Sequence, residues 1–256
     1  MWNNISTISY YTFKEIIKSK VLVNVLILGL LQLLVTYIAY SFTYGEPSRV
    51  ALDFGIGTLN LSAIGIAIFM GVGLLSDEIE NRTVYMIISR PVSRSSFILG
   101  RLLGLLSILI VNIVTLSVIS LFLYFITGGD FQPLILWTIF ATLLESMIVL
   151  IIVSLLSMLT SKTLSVLLTI LIYILGNAID AAKLLEFVKI RPLLGHILDA
   201  YHFLLPGFYK FNFKPYLLYK QNLSIEYLTT SIGYGLLYAI GLVFLSLYVF
   251  NKKDLD

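Results

Sequence analysis

The sequence predicts an all-α membrane protein of six transmembrane helices preceded by an N-terminal interfacial helix, and three observations predict it. Hydrophobic residues make up 59% of the 256 residues and charged residues only 12%, roughly half the charge that solvates the surface of a soluble domain. Six apolar stretches, at 21–42, 56–76, 97–126, 134–159, 164–182 and 229–250, come within error of the roughly 20 residues a helix needs to cross a bilayer core. All six prolines (Pro47, Pro91, Pro133, Pro192, Pro206 and Pro215) fall between those stretches, as expected of a residue that disrupts helix interiors. With a mean hydropathy of +0.97, a soluble chain would expose apolar patches and aggregate. Residues 1–256 read as a single membrane domain.

Composition also excludes. There is no cysteine, so neither disulfides nor thiolate metal sites are available. A formal charge of +3, dispersed along the chain, argues against nucleic-acid binding. The first apolar stretch is too long for a signal-peptide core and no small-residue cleavage pattern follows it, so it reads as a retained helix.

Before that stretch, residues 10–20 place Tyr10, Phe13, Ile16 and Ile17 on one helical arc and Lys14 and Lys18 on another. Such a helix, counted as residues 1–20, suits the membrane surface, its lysines facing lipid headgroups. Stretches 97–126 and 134–159 exceed a bilayer core, so tilt or protrusion is expected. The break near Ser161 is the shortest of the five. Lysines and arginines in the short segments set orientation: Lys14, Lys18, Lys20, Arg82, Arg90, Arg94, Arg101, Lys162, Lys252 and Lys253 fall on the side of the termini, and only Arg49 on the other. Both termini are therefore expected in the cytoplasm, in a multi-pass protein of the cell's inner membrane. Residues 183–228 are rich in aromatics and broken by three prolines. They are expected as an extracytoplasmic loop of short interfacial helices or as a lid over a central pathway.

Residues 77–96 form the one long cytoplasmic connection. A short helix is expected from 77 to 88, capped by Ser76, with Asp77, Glu78 and Glu80 favoured by the N-terminal dipole and its end set by Pro91 acting on Arg90. Ser93 then starts the next span. A rigid charged knob of this kind can receive force from a soluble motor; as a solvated loop it would only obey the positive-inside rule.

The run Glu78-Ile79-Glu80-Asn81-Arg82-Thr83, an apolar stretch 84–88, and Ser89-Arg90-Pro91-Val92-Ser93-Arg94 resembles the segment after the second helix of ABC-2 permeases of ABC transporters. It departs at Arg82, where many members carry glycine. Residues 11–20 resemble that family's first helix, and Leu205-Pro206-Gly207-Phe208 with Phe211-Asn212-Phe213 resembles an outer-loop pattern. The resemblance implies a type V exporter-like permease fold and a permease that pairs with a second copy and with two copies of an ABC ATPase subunit. ATP and magnesium would be bound by that ATPase and no cofactor by this chain. Asp77, Glu78, Glu80, Arg82, Thr83, Arg90, Pro91 and Arg94 would couple to the ATPase, and transport would be export.

The motor is expected on a different chain. A phosphate loop needs Gly-x4-Gly-Lys-Ser/Thr. Lysine precedes Ser or Thr only at Lys18 and Lys162, where the glycine positions hold Thr12 and Ile17, and Leu156 and Ser161.

Within the spans, Glu145 stands alone among apolar residues. A carboxylate there is costly, so it is expected protonated, hydrogen-bonded to another helix, or facing a wet cavity as part of a pathway. Asn112 and Gln32 are expected to link helices. Gly65, Gly71 and Gly73 would allow close packing or bending. His196 and His202, six residues apart, lack metal-ligand spacing, so no metal is expected. Two related halves with broken helices, the mark of many secondary transporters, are absent, as are motifs of intramembrane enzymes. A secondary transporter and a non-transporting scaffold remain the alternatives.

Overall fold

The computed structural model describes residues 2–18, 21–42, 45–80 and 93–252, and among these there is no strand. The helices are α1 (Trp2–Ile17), α2 (Val21–Phe42), α3 (Pro47–Glu80), α4 (Arg94–Ile126), α5 (Leu134–Leu159), α6 (Lys162–Leu184), α7 (Glu186–Lys189), α8 (Pro192–Leu204), α9 (Lys214–Leu218) and α10 (Ile225–Lys252), with a 3-10 turn at Phe208–Phe211. Six of them, α2 to α6 and α10, are long and apolar enough to cross a membrane, as the sequence predicts. The helix α5 is the axis of the bundle and packs against α3, α4, α6 and α10. On the periphery, α2, α6 and α10 present rows of leucine, isoleucine and aromatic side chains outward, as a lipid-facing surface requires.

The helix α3 differs from expectation at both ends. It begins at Pro47 rather than near 56 and continues through Glu80. Proline is tolerated in the first turn, where its missing N–H would be unpaired anyway, so Pro47 opens the helix. At the other end nothing between Gly73 and Glu80 breaks a helix, and Leu and Glu are good formers. The expected helix start capped by Ser76 is thus corrected: Ser76, Asp77, Glu78 and Glu80 extend α3 itself, and residues 81–88 of that expected helix lie outside the described residues. With 34 residues α3 is about 50 Å long, against a bilayer core of about 30 Å. Ser93 starts α4 as predicted, its Oγ accepting from Ser96 N–H at 3.2 Å. The turn between α5 and α6 is only Thr160-Ser161.

The helix α1 also differs from its expected arc. Ile5 and Thr12 are buried and Ile8 and Ile16 partly so, while Tyr10 and Tyr11 are exposed. The spacing 5, 8, 12, 16 is one helical stripe, and it docks on α4 at Gly100 and Gly104. Glycines four apart leave a bare strip on which backbones approach closely. A Cβ on Gly100 would lie 2.7 Å from Ile8 Cβ, and one on Gly104 would lie 2.6 Å from Thr12 Cβ. Arg101 closes the seam, donating to Glu15 Oε2 at 3.0 Å.

Residues 206–217 fold inward rather than lying flat on an interface. Phe208, Phe211, Phe213 and Leu217 are buried. Phe208 fills a socket left by Gly176 of α6, and Phe211 one left by Gly235 of α10; a Cβ would come within 2.6 Å and 2.8 Å of these rings. The Gly207 N–H donates to Tyr234 Oη at 3.0 Å. Farther back in the chain Lys183 and Asp199 pair at 2.8 Å, and Tyr201 donates to the Ile172 carbonyl at 3.1 Å. Burial pushes the Tyr201 hydroxyl up to about 12.

Candidate functional site: a roofed polar cavity in the bundle

Three helices turn a polar residue into the same space. Glu145, 5% exposed, lies halfway along α5. Its Oε2 accepts from Asn60 Nδ2 of α3 at 2.8 Å, and Asn60 Oδ1 accepts from Tyr173 Oη of α6 at 3.2 Å. Asn177, one turn after Tyr173, donates to the Tyr173 carbonyl at 3.1 Å. A carboxylate in an apolar bundle needs such partners, because an unsatisfied buried charge is among the most expensive groups a fold can hold.

These side chains line a cavity of about 180 Å³ together with Thr138 and Thr142 of α5 and residues 211–214. That is room for several water molecules or a small solute. Residues 211–214 form its roof. Lys214 reaches Asp53 Oδ1 of α3 at 2.6 Å, and Arg49, one turn before Asp53, stacks on Tyr219 at 4.3 Å from the ring centre. The roof is thus pinned to the start of α3 by an ion pair and a cation–π contact, and to the bundle by buried phenylalanines.

Gln32 and Asn112 sit elsewhere, on the seam of α2, α3 and α4. Gln32 Nε2 donates to Ser120 Oγ at 2.6 Å, and Asn112 Oδ1 accepts from Ser62 Oγ at 3.1 Å. Both are buried, and Gln32 Oε1 and Asn112 Nδ2 have no hydrogen-bond partner among the described residues. They belong to a second polar zone and do not reach the cavity.

Of the coupling residues, Asp77, Glu78 and Glu80 lie in the last turn and a half of α3, with side chains outside the described set. Arg82, Thr83, Arg90 and Pro91 lie outside the described residues. Arg94 opens α4 and donates to the Asn251 carbonyl of α10 at 3.5 Å, joining two helix ends beside the segment. Sequence reasoning missed Asn60, Tyr173 and Asn177. The two asparagines carried the signal that marked Asn112, an amide inside an apolar span.

No curated protein matches the chain. A protein-family comparison matches residues 57–255 to a family described as "Protein of unknown function (DUF2705)", and no match to the ABC-2 permeases was found. The resemblance to the ABC-2 permeases drawn from residues 76–94 is therefore corrected, while the all-helical architecture with six candidate spans stands without it. A short charged run with one proline is a common way to end a helix between two apolar spans, so its information content is low. The match covers well over half of the chain, α3 from Gly57 onward to the end of α10, and on that extent the chain belongs to the DUF2705 family.

Proposed function

We propose that this chain is the membrane-spanning subunit of an ATP-driven transporter whose ATPase is a separate polypeptide, with both termini on the cytoplasmic side of the cell's inner membrane. The observation that carries the reading is the continuity of α3. One unbroken helix bears Asn60 at the cavity and Asp77, Glu78 and Glu80 at its far end, twenty residues or about 30 Å apart. A motor that moves the charged end moves a hydrogen-bonding wall of the cavity with it, which is the rigid-body mode by which packed helices switch. A buried carboxylate facing a cavity inside a bundle favours solute passage over a purely structural role. Charge placement supports the orientation, since the short segments on the side of the termini hold ten lysines and arginines and those on the other side only Arg49.

The reading is tested by purifying the chain from its own membrane. A soluble ATPase carrying a phosphate-loop motif should co-purify. Reversal of charge in the double variant Glu78→Lys/Glu80→Lys should release it while membrane insertion stays normal. A chain that retains no ATPase with residues 77–96 intact overturns the proposal. Full retention by the double variant excludes those carboxylates as contacts.

A further inference from the structure

We propose that the cavity beneath residues 211–214 is a binding site for a monovalent cation, either an inorganic ion or a small primary ammonium. The inference deepens the transport reading by naming a substrate class, and rests on it for that role; binding itself stands apart from any motor.

The argument is one of donors and acceptors. The three hydroxyls on the cavity wall have each spent their only hydrogen inside the protein: Thr138 on the Leu134 carbonyl at 2.8 Å, Thr142 on the Thr138 carbonyl at 3.0 Å, and Tyr173 on Asn60 Oδ1 at 3.2 Å. What they still offer is lone pairs. Asn177 and Asn60 have each given one amide hydrogen away as well, to the Tyr173 carbonyl and to Glu145. Asn60 and Asn177 keep one amide hydrogen each and Asn212 on the roof brings two, against the free lone pairs of Thr138, Thr142, Tyr173, both Glu145 oxygens and the three amide oxygens; acceptors outnumber free hydrogens, which suits a ligand that only donates or is itself a cation.

Charge points the same way. Glu145 is the one carboxylate on the wall, and the one basic residue there, Lys214, pairs with Asp53. No positive side chain is left to balance Glu145, and a buried carboxylate without a counter-charge is strongly disfavoured. A bound cation supplies that charge in exchange for the proton that otherwise neutralises the carboxyl group. A single carboxylate with neutral oxygens is a weak set for a divalent ion, which usually recruits several carboxylates, and no group of three His, Cys, Asp or Glu capable of holding a metal occurs among the described residues.

The test uses purified full-length chain in detergent without any ATPase, titrated calorimetrically with sodium, potassium and methylammonium chlorides, N-methylglucamine chloride holding ionic strength constant. At least one of the three should bind saturably, and which one does separates an inorganic ion from an ammonium. Glu145→Gln should weaken that binding about tenfold or more, since it removes the charge from a charge-assisted contact, and Thr142→Val should weaken it several-fold. Glu226→Gln, at an exposed position in the first turn of α10, should leave it unchanged. The proposal is overturned if none of the three binds saturably, or if Glu145→Gln binds as wild type does. Should Glu145→Gln fail to fold, unchanged affinity in Thr142→Val overturns it instead. Loss of ATPase co-purification would refute the transport reading and leave the titration standing.

Discussion

Gly104→Val should detach α1 from α4. Thr12, the residue it meets, is 3% exposed, and a Cβ on Gly104 would lie 2.6 Å from Thr12 Cβ and 3.0 Å from the Ser9 carbonyl oxygen. Carbon atoms rest at about 3.5–4.0 Å, so the branched side chain demands a shift of about 1 Å or more, and backbone on the α1 side cannot yield as a side-chain tip can. Overpacking of this kind costs about 1–3 kcal/mol, which converts to a factor of about 5 to 150 in the docked-to-undocked equilibrium. The chain has no cysteine, so a single Ile5→Cys substitution places one thiol in the buried seam. Its rate of reaction with a water-soluble maleimide reports undocking, because a shielded group reacts through the open state. In the Ile5→Cys parent the thiol should react slowly; with Gly104→Val added, about tenfold faster or more. Gly65→Ala is the control, since nothing lies within 4 Å of the position its Cβ would take. Equal labelling rates in the parent and the Gly104→Val variant, or an equal acceleration by Gly65→Ala, would show that the glycine strip does not hold α1.

Two further outcomes follow from the roof and the segment before it. Phe208→Ala empties the socket beside Gly176 and should cost about 3–5 kcal/mol, read as a lowered unfolding temperature in detergent, whereas Phe131→Ala, at an exposed residue, should cost little; equal effects would mean that the Phe208 ring is not packed as described. Tyr201 is held neutral by burial, its hydroxyl raised to about 12 from an ordinary value of 10.0, so the stability it contributes is complete below pH 10 and is lost as pH rises from 10 through about 12. Limited proteolysis of residues 185–204 should therefore accelerate across that window in the wild type and less so in Tyr201→Phe, and identical profiles would remove Tyr201 as the cause.

What was legible in the sequence follows from which forces are local. Apolar length and proline placement fix the spans, and both are visible residue by residue; hence 21–42 and 134–159 coincide with α2 and α5. The start of α3 was hidden because Arg49 and Asp53 interrupt its hydropathy, although proline at the first helical position is itself a start signal. Its end was misread because charge at residues 77–80 looks like a new helix N-terminus, while no residue there breaks the old one. Glu145 was legible as a lone carboxylate. Its partners were not, since Asn60 is 85 residues away and Tyr173 is 113 residues from Asn60, and only the packing of α3 and α6 on α5 brings them together. The phenylalanines of residues 206–217 read as interfacial because their sockets are glycines in α6 and α10, and an empty site on a distant helix leaves no trace in the local pattern.

The continuity of α3 changes what a cytoplasmic push would do under the proposed function. A separate short helix joined by a turn would absorb part of any displacement at the joint. An unbroken helix transmits it along its axis, because helices are stiff over a few turns and packed interfaces switch between discrete arrangements rather than deform gradually. The axis α5 is packed on α3, α4, α6 and α10, so it is the element least free to follow. A slide of α3 by about 2 Å across the 2.8 Å bond between Asn60 and Glu145 would lengthen it to about 3.4 Å, past the usual range of a hydrogen bond, and the same slide would strain the Asp53–Lys214 pair that pins the roof. Both contacts belong to α3, one at the floor of the cavity and one at its cover. A single motion would thus loosen the grip on the carboxylate and the closure above it together, which couples release of a bound cation to opening of the roof without any second moving part.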